Sequence, residues 1–208
     1  MHPEVLTKEG SQLFPSLKKF SGFYLAGGTA LALQLGHRVS YDFDLFRDEK
    51  LPRSLLPRVE RVFGTAIAPL VNNADELTLT VQGVKVTFLN YPFPPVDPFE
   101  LYEGVPLLSV PDVAATKAYT IGRRGSYRDY VDLYFVLSEG YATLMDIIAL
   151  ASKKFGEAFS ATLFLQQLVY LDDVKDRDIQ FLKPPVDPNE LLGFFEERVR
   201  QAAEQGLI

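Results

Sequence analysis

The chain has 208 residues, 47% hydrophobic and 23% charged, with a formal net charge of −6, which excludes a disordered protein and a bulk-charge nucleic-acid coat. It has no cysteine, so disulfides, thiolate zinc sites and cysteine nucleophiles are out. The opening MHPEVLTKEG lacks the basic and apolar regions of a signal peptide, and no apolar run is long enough for a bilayer, so a cytoplasmic protein with no membrane contact is expected.

In chain order, Leu6, Leu13, Leu17 and Phe20 predict an amphipathic helix over 4–20. FYLA predicts a short strand, and a short helix over 29–35 follows, stopped by Gly36. VSYDFDLF predicts a second strand, and 53–64 a helix with Leu55, Leu56, Val59, Val62 and Phe63 inward. LTLTVQG and VKVTFLNY alternate with period two around Gly83, which predicts a hairpin. YPFPPVDPFE carries four prolines and predicts a domain boundary, giving an α/β domain over 1–98 and a helical domain over 99–208. In the second half, helices are predicted over 109–122, 126–138, 142–154, 157–170 and 188–203.

The second strand carries the first candidate site. Alternation puts Tyr41, Phe43 and Leu45 on one face, and Ser40, Asp42, Asp44 and Phe46 on the other. The two aspartates then stand roughly 7 Å apart at Cα. Like charges that close repel unless a cation lies between them, and hard oxygens at this spacing suit Mg²⁺ completed by water and phosphate. A solvated strand face is the plain alternative. Just upstream, Gly27 and Gly28 open a helix whose N-terminus can meet phosphate oxygens, with a tight turn as the alternative. Thr29 adds a hydroxyl, as N-cap or as phosphate contact. Phosphate cradle and cation pair together point to a nucleoside triphosphate with magnesium.

Lys117 lies in the middle of a stripe of Val110, Val113, Ala114, Ala118 and Ile121, where it either reaches out to water or has a partner. Ser109 with Asp112, and Ser126 with Asp129, have capping-box spacing. Asp132 is flanked by Tyr, Val, Leu and Phe, so it needs a cation or several donors; Lys117, Arg128 and a metal are the candidates, with a structural salt bridge between helices as the plain alternative. The local basic patch is KAYTIGRRGSYR, with Lys117, Arg123, Arg124 and Arg128; YLDDVKDRD, 170–178, is acidic and reads as a solvated loop or a partner surface.

The run GGTALALQLGHRVSYDFDLF, followed by DVAATK, RRG and RDYVDLYFVL, resembles the AbiEii/AbiGii-type nucleotidyltransferase toxin family. The resemblance implies an α+β fold: a nucleotidyltransferase-like mixed β-sheet with flanking helices, then a helical domain that contributes to the active-site cleft. It implies Mg²⁺-dependent transfer of a nucleoside monophosphate from an NTP to an acceptor hydroxyl, on RNA such as tRNA or on protein. Asp42 and Asp44 would ligate one or two Mg²⁺ ions. Gly27, Gly28 and Thr29 would hold the triphosphate, with Arg38, Ser40, Arg123 and Arg124 lining the site. Lys117 and Asp129 would be catalytic, and Asp132 and Arg128 supporting. A cognate antitoxin would be a partner. Two positions depart from the family pattern. Thr87 stands where a third strand carboxylate is common, and Arg128 stands where lysine often precedes the last aspartate. A degenerate nucleotide-binding or antitoxin-pairing protein without transferase activity is the alternative.

Overall fold

The computed structural model describes residues 1–123, 125–171, 174 and 178–204. The expected first helix is two pieces, a 3-10 turn over Pro3–Val5 and helix α1 over Lys8–Leu17. The break is local chemistry. The Thr7 hydroxyl accepts a hydrogen bond from the Gly10 N–H (3.0 Å), which makes Thr7 an N-cap and starts the helix at Lys8.

Strand β1 (Tyr24–Ala26) runs into helix α2 (Gly27–Leu35), which ends at Gly36 in the left-handed conformation. Strand β2 (Asp42–Arg47), helix α3 (Leu55–Phe63) and strands β3 (Val71–Asn72), β4 (Glu76–Val81) and β5 (Val84–Asn90) follow. The predicted hairpin is β4–β5. Gln82 and Gly83 both have positive φ, 50° and 84°, as a two-residue turn matched to strand twist requires. Strands β6 (Glu100–Tyr102) and β7 (Val105–Leu107) form a second hairpin, turned at Glu103 and Gly104.

The seven strands make one mixed sheet in the order β3-β4-β5-β2-β1-β7-β6. β2 lies parallel to β5 and antiparallel to β1, and β1 lies parallel to β7. The register sorts the side chains by face. Leu25, Phe43, Leu45, Leu77, Leu79, Val86 and Phe88 are buried on one side. There α1 packs, with the Phe14 ring 6.1 Å from that of Phe43, and Phe20, just past the helix, is 4.9 Å from Phe88. The reverse side of β2, β5 and β4 carries Asp42, Asp44, Lys85, Thr87, Thr78 and Thr80.

Two units emerge, Met1–Ser109 and Val110–Ile208. The boundary expected at 98–99 lies instead after Ser109, because β6 and β7 beyond the prolines join the sheet. The second unit holds helices α4 (Val110–Ile121), α5 (Tyr127–Ser138), α6 (Leu144–Phe155), α7 (Ala161–Leu168) and α8 (Pro188–Glu204). Here α4 packs against α5, α6 and α7, and α8 packs on α5 and α6. Inside it Lys154 and Asp112 form an ion pair (2.5 Å) with both side chains fully buried. No helix among the described residues is long and apolar enough to cross a membrane.

Candidate functional site

Asp42 and Asp44 both lie in β2 and are partly exposed, while Phe43 and Leu45 between and beyond them are buried. The carboxylates therefore share the sheet face opposite the core. The strand begins at Asp42, later than expected, so Tyr41 is 45% exposed and does not join the apolar face. Ser40 is drawn out of β2 into an isolated bridge with Leu6.

The glycine pair has a steric reason that can be stated atom by atom. Gly27 has φ +65°, and a Cβ there would lie 2.8 Å from Asp44 Oδ2. A Cβ on Gly28 would lie 2.5 Å from Arg38 Nη2. The two glycines thus let a carboxylate and a guanidinium reach the start of α2, and the first needs a left-handed backbone as well. Arg38 is buried and donates through Nη1 to the Val39 carbonyl (3.1 Å). Thr29 and Ser40 are also buried, with their hydroxyl oxygens 2.7 Å apart, and Thr29 donates to the Asp42 carbonyl.

Register settles the position of Thr87. It is the partner of Asp44 on the parallel strand β5, and Thr78 on β4 is its partner in turn. The Thr87 hydroxyl lies 3.4 Å from that of Thr78. Among the described residues, no three His, Cys, Asp or Glu side chains gather into a metal-binding group. The donor set still fits Mg²⁺, which takes one or two carboxylates and fills its shell with water and phosphate oxygens.

Lys85, which the sequence reading passed over, is the partner of Asp42 on β5 and is exposed. It places one cation about 5 Å along the sheet from a carboxylate backbone. Its signal was its place two residues before Thr87, visible only once β5 was aligned with β2. Farther along the same face, Phe46 stacks on Tyr91, rings 4.8 Å apart, and Tyr24 packs on Phe99 at 4.9 Å.

In the helical unit, Lys117 is only 6% exposed, which excludes a lysine reaching out to water. Its ammonium contacts Asp129 Oδ1 (2.7 Å) and Asp132 Oδ2 (2.6 Å). Ser126 makes no side-chain cap bond on α5, so the capping-box reading of Asp129 fails and the lysine is its partner. Asp132 is completely buried and forms the salt bridge between helices that its apolar flanks called for.

The basic positions nearby divide. Arg123 donates to the Tyr119 carbonyl (2.9 Å) and the Ala158 carbonyl (2.6 Å). Its guanidinium lies 3.6 Å from the Tyr119 ring centroid, and that ring stacks on Phe155. Arg123 therefore fastens the end of α4 to the segment after α6. Arg128 is partly exposed in the first turn of α5. Arg124 and most of the acidic stretch 170–178 lie outside the described residues.

Comparison with known proteins places the chain in a family. The family model for the nucleotidyl transferase AbiEii toxin of type IV toxin–antitoxin systems matches residues 12–205. An uncharacterized protein of Aquifex aeolicus (strain VF5) is 29% identical over 202 residues, 95% of this chain and 96% of its own. Among solved structures, JHP933 from Helicobacter pylori aligns with a TM-score of 0.57 at 18% identity, over 97% of this chain and 96% of its own. MenT4, a nucleotidyltransferase toxin from Mycobacterium tuberculosis H37Rv, aligns at 0.54 and 17% identity, over 91% of this chain and 80% of its own. These two share the fold. The family match spans both units, and the chain belongs to the AbiEii nucleotidyltransferase toxin family.

Proposed function

We propose that the protein moves a nucleoside monophosphate from an NTP to an acceptor hydroxyl in a Mg²⁺-dependent reaction, as the toxin component of a toxin–antitoxin pair. The observation that carries this reading is the placement of the partly exposed Asp42 and Asp44 on one sheet face, with Gly27 at the start of α2 against Asp44 and Arg38 against Gly28. Asp42 and Asp44 would hold the cation, which bound there neutralises triphosphate charge and stabilises the attacking and leaving oxygens.

The chain's own residues supply the rest. The amides at the start of α2 and the buried Arg38 offer donors to phosphate oxygens, and the helix dipole favours the anion. Within the helical unit, Asp129 and Asp132 hold the Lys117 ammonium in place, and the family resemblance assigns that lysine to phosphate charge. The acceptor hydroxyl oxygen forms a bond to the α-phosphorus as its proton passes to solvent water, the bond from that phosphorus to the bridging oxygen breaks, and pyrophosphate leaves. RNA, with tRNA foremost, is the first acceptor to test, and a protein hydroxyl the second.

The test is to incubate the protein with each α-labelled NTP, Mg²⁺ and total RNA, beside Asp42→Ala. Label in RNA with wild type alone supports transfer to RNA, and label on protein moves the acceptor. No label on any acceptor, with Asp42→Ala binding nucleotide like wild type, defeats the reading. One observation favours a second reading. With Thr87 beside Asp44, the site lacks a third carboxylate, which suits a protein that holds nucleotide without transferring it. That protein would be stabilised by nucleotide and yield no product.

A further inference from the structure

We infer that Thr29 and Ser40 are positioning residues that fix the main chain of Asp42, and that neither is a ligand for phosphate. The inference rests on the reading of Asp42 and Asp44 as a metal pair. It departs from the role that the family resemblance gives these two hydroxyls.

Proton counting decides the direction of the bonds. A hydroxyl has one proton to donate. The Asp42 carbonyl can only accept, so the bond from Thr29 uses the Thr29 proton. The 2.7 Å contact between the hydroxyls must then use the Ser40 proton. The result is a directed chain, Ser40 O–H to Thr29 Oγ1 and Thr29 O–H to the Asp42 oxygen. A phosphate oxygen accepts and never donates, so it gains from a hydroxyl only through that proton. Both protons are already committed. Both residues are also buried, Thr29 being 1% and Ser40 5% exposed.

The chain is anchored at each end. The Ser40 N–H donates to the Val5 carbonyl (2.9 Å), and Thr29 sits in the first turn of α2, next to Gly28. The helix start that bears on Asp44 through Gly27 is thereby tied to the backbone of Asp42 through Thr29. Linked hydroxyls polarise one another, so the Thr29 bond is the stronger for having Ser40 behind it. Groups that orient metal ligands in this way are worth a large factor in metal affinity.

The experiment measures Mn²⁺ uptake by electron paramagnetic resonance of the free ion, and separately ATP and GTP binding in EDTA by equilibrium dialysis. Thr29→Val removes the proton and keeps the shape. It should weaken Mn²⁺ binding on the order of tenfold and leave nucleotide binding in EDTA unchanged. Thr29→Ser should restore Mn²⁺ binding. Ser40→Ala keeps the bond to Asp42 and should weaken Mn²⁺ binding by a smaller factor. It carries the test alone if Thr29→Val lacks a cooperative thermal transition. Wild-type Mn²⁺ affinity in Thr29→Val or Ser40→Ala overturns the inference, as does lost nucleotide affinity in EDTA. Wild-type protein that takes up no Mn²⁺ overturns the metal pair itself.

Discussion

The sheet unit and the helical unit treat their carboxylates in opposite ways. On the sheet, Asp42 and Asp44 are partly open to solvent on a polar face. Among the helices, Asp112 and Asp132 are completely buried, and each is held by a lysine. Exposure decides what each can do. An open carboxylate can exchange water for a cation, whereas a buried one is committed to the partner that offsets its desolvation. Asp112 and Asp132 therefore stabilise the helical unit, whereas Asp42 and Asp44 stand where solvent can reach them.

The sharpest contrast should come from removing one partner of the dry pair. Asp112→Ala strands Lys154 in the helical core and should cost about 3–5 kcal/mol in denaturant unfolding. Asp112→Leu combined with Lys154→Met should recover much of that loss, since a buried pair replaced whole by apolar groups is often neutral. A double variant as unstable as Asp112→Ala would break the comparison.

Gly27→Ala comes next. Its positive φ alone makes alanine unfavourable by about 1–2 kcal/mol, and the new methyl must displace the Asp44 carboxylate. Thermal unfolding should fall accordingly, and Mg²⁺ stabilisation should disappear with it. A variant that keeps full Mg²⁺ stabilisation would show that Asp44 does not need its place against the helix start.

The start of α6 gives a smaller effect with a pH signature. Thr143 and Asp146 form a reciprocal capping box. The Thr143 hydroxyl, and then its backbone N–H, hold the Asp146 carboxyl below the usual carboxylate range. A depressed value stabilises the fold above the ordinary carboxyl range, and that stability is lost as pH falls through the folded value. Thr143→Ala should cost about 1 kcal/mol at neutral pH. The cost should shrink in acid, followed by unfolding at several pH values, and a cost that grows in acid would contradict the assignment.

The smallest effect on stability belongs to the open face. Asp42→Asn and Lys85→Met should each change unfolding by no more than about 0.5 kcal/mol, as exposed substitutions do. Lys85→Met should instead raise the KM for NTP or for the acceptor, and Lys85→Arg should restore it. Unchanged kinetics in Lys85→Met would leave that lysine as solvation alone.

What the sequence disclosed follows the range of the forces involved. The β4–β5 hairpin, the alternation around Asp42 and Asp44, and the five helices of the second unit are local patterns, and each was legible. The β6–β7 hairpin was hidden because its strands are three residues long and follow a proline-rich stretch. The Lys154–Asp112 and Lys85–Asp42 neighbours depend on packing and register between distant segments. Thr29 and Ser40 were legible as residues near a phosphate-type turn, but the direction of their protons needed coordinates. Arg123 read as part of a basic patch and proved to fasten two backbone carbonyls, which no local spacing encodes.

The most direct measurement titrates Mn²⁺ calorimetrically into wild type, Asp42→Asn, Asp44→Asn and Asp132→Asn. The account predicts saturable uptake by wild type and Asp132→Asn, and its loss in both sheet variants. Uptake that survives in Asp42→Asn and Asp44→Asn but vanishes in Asp132→Asn would contradict it.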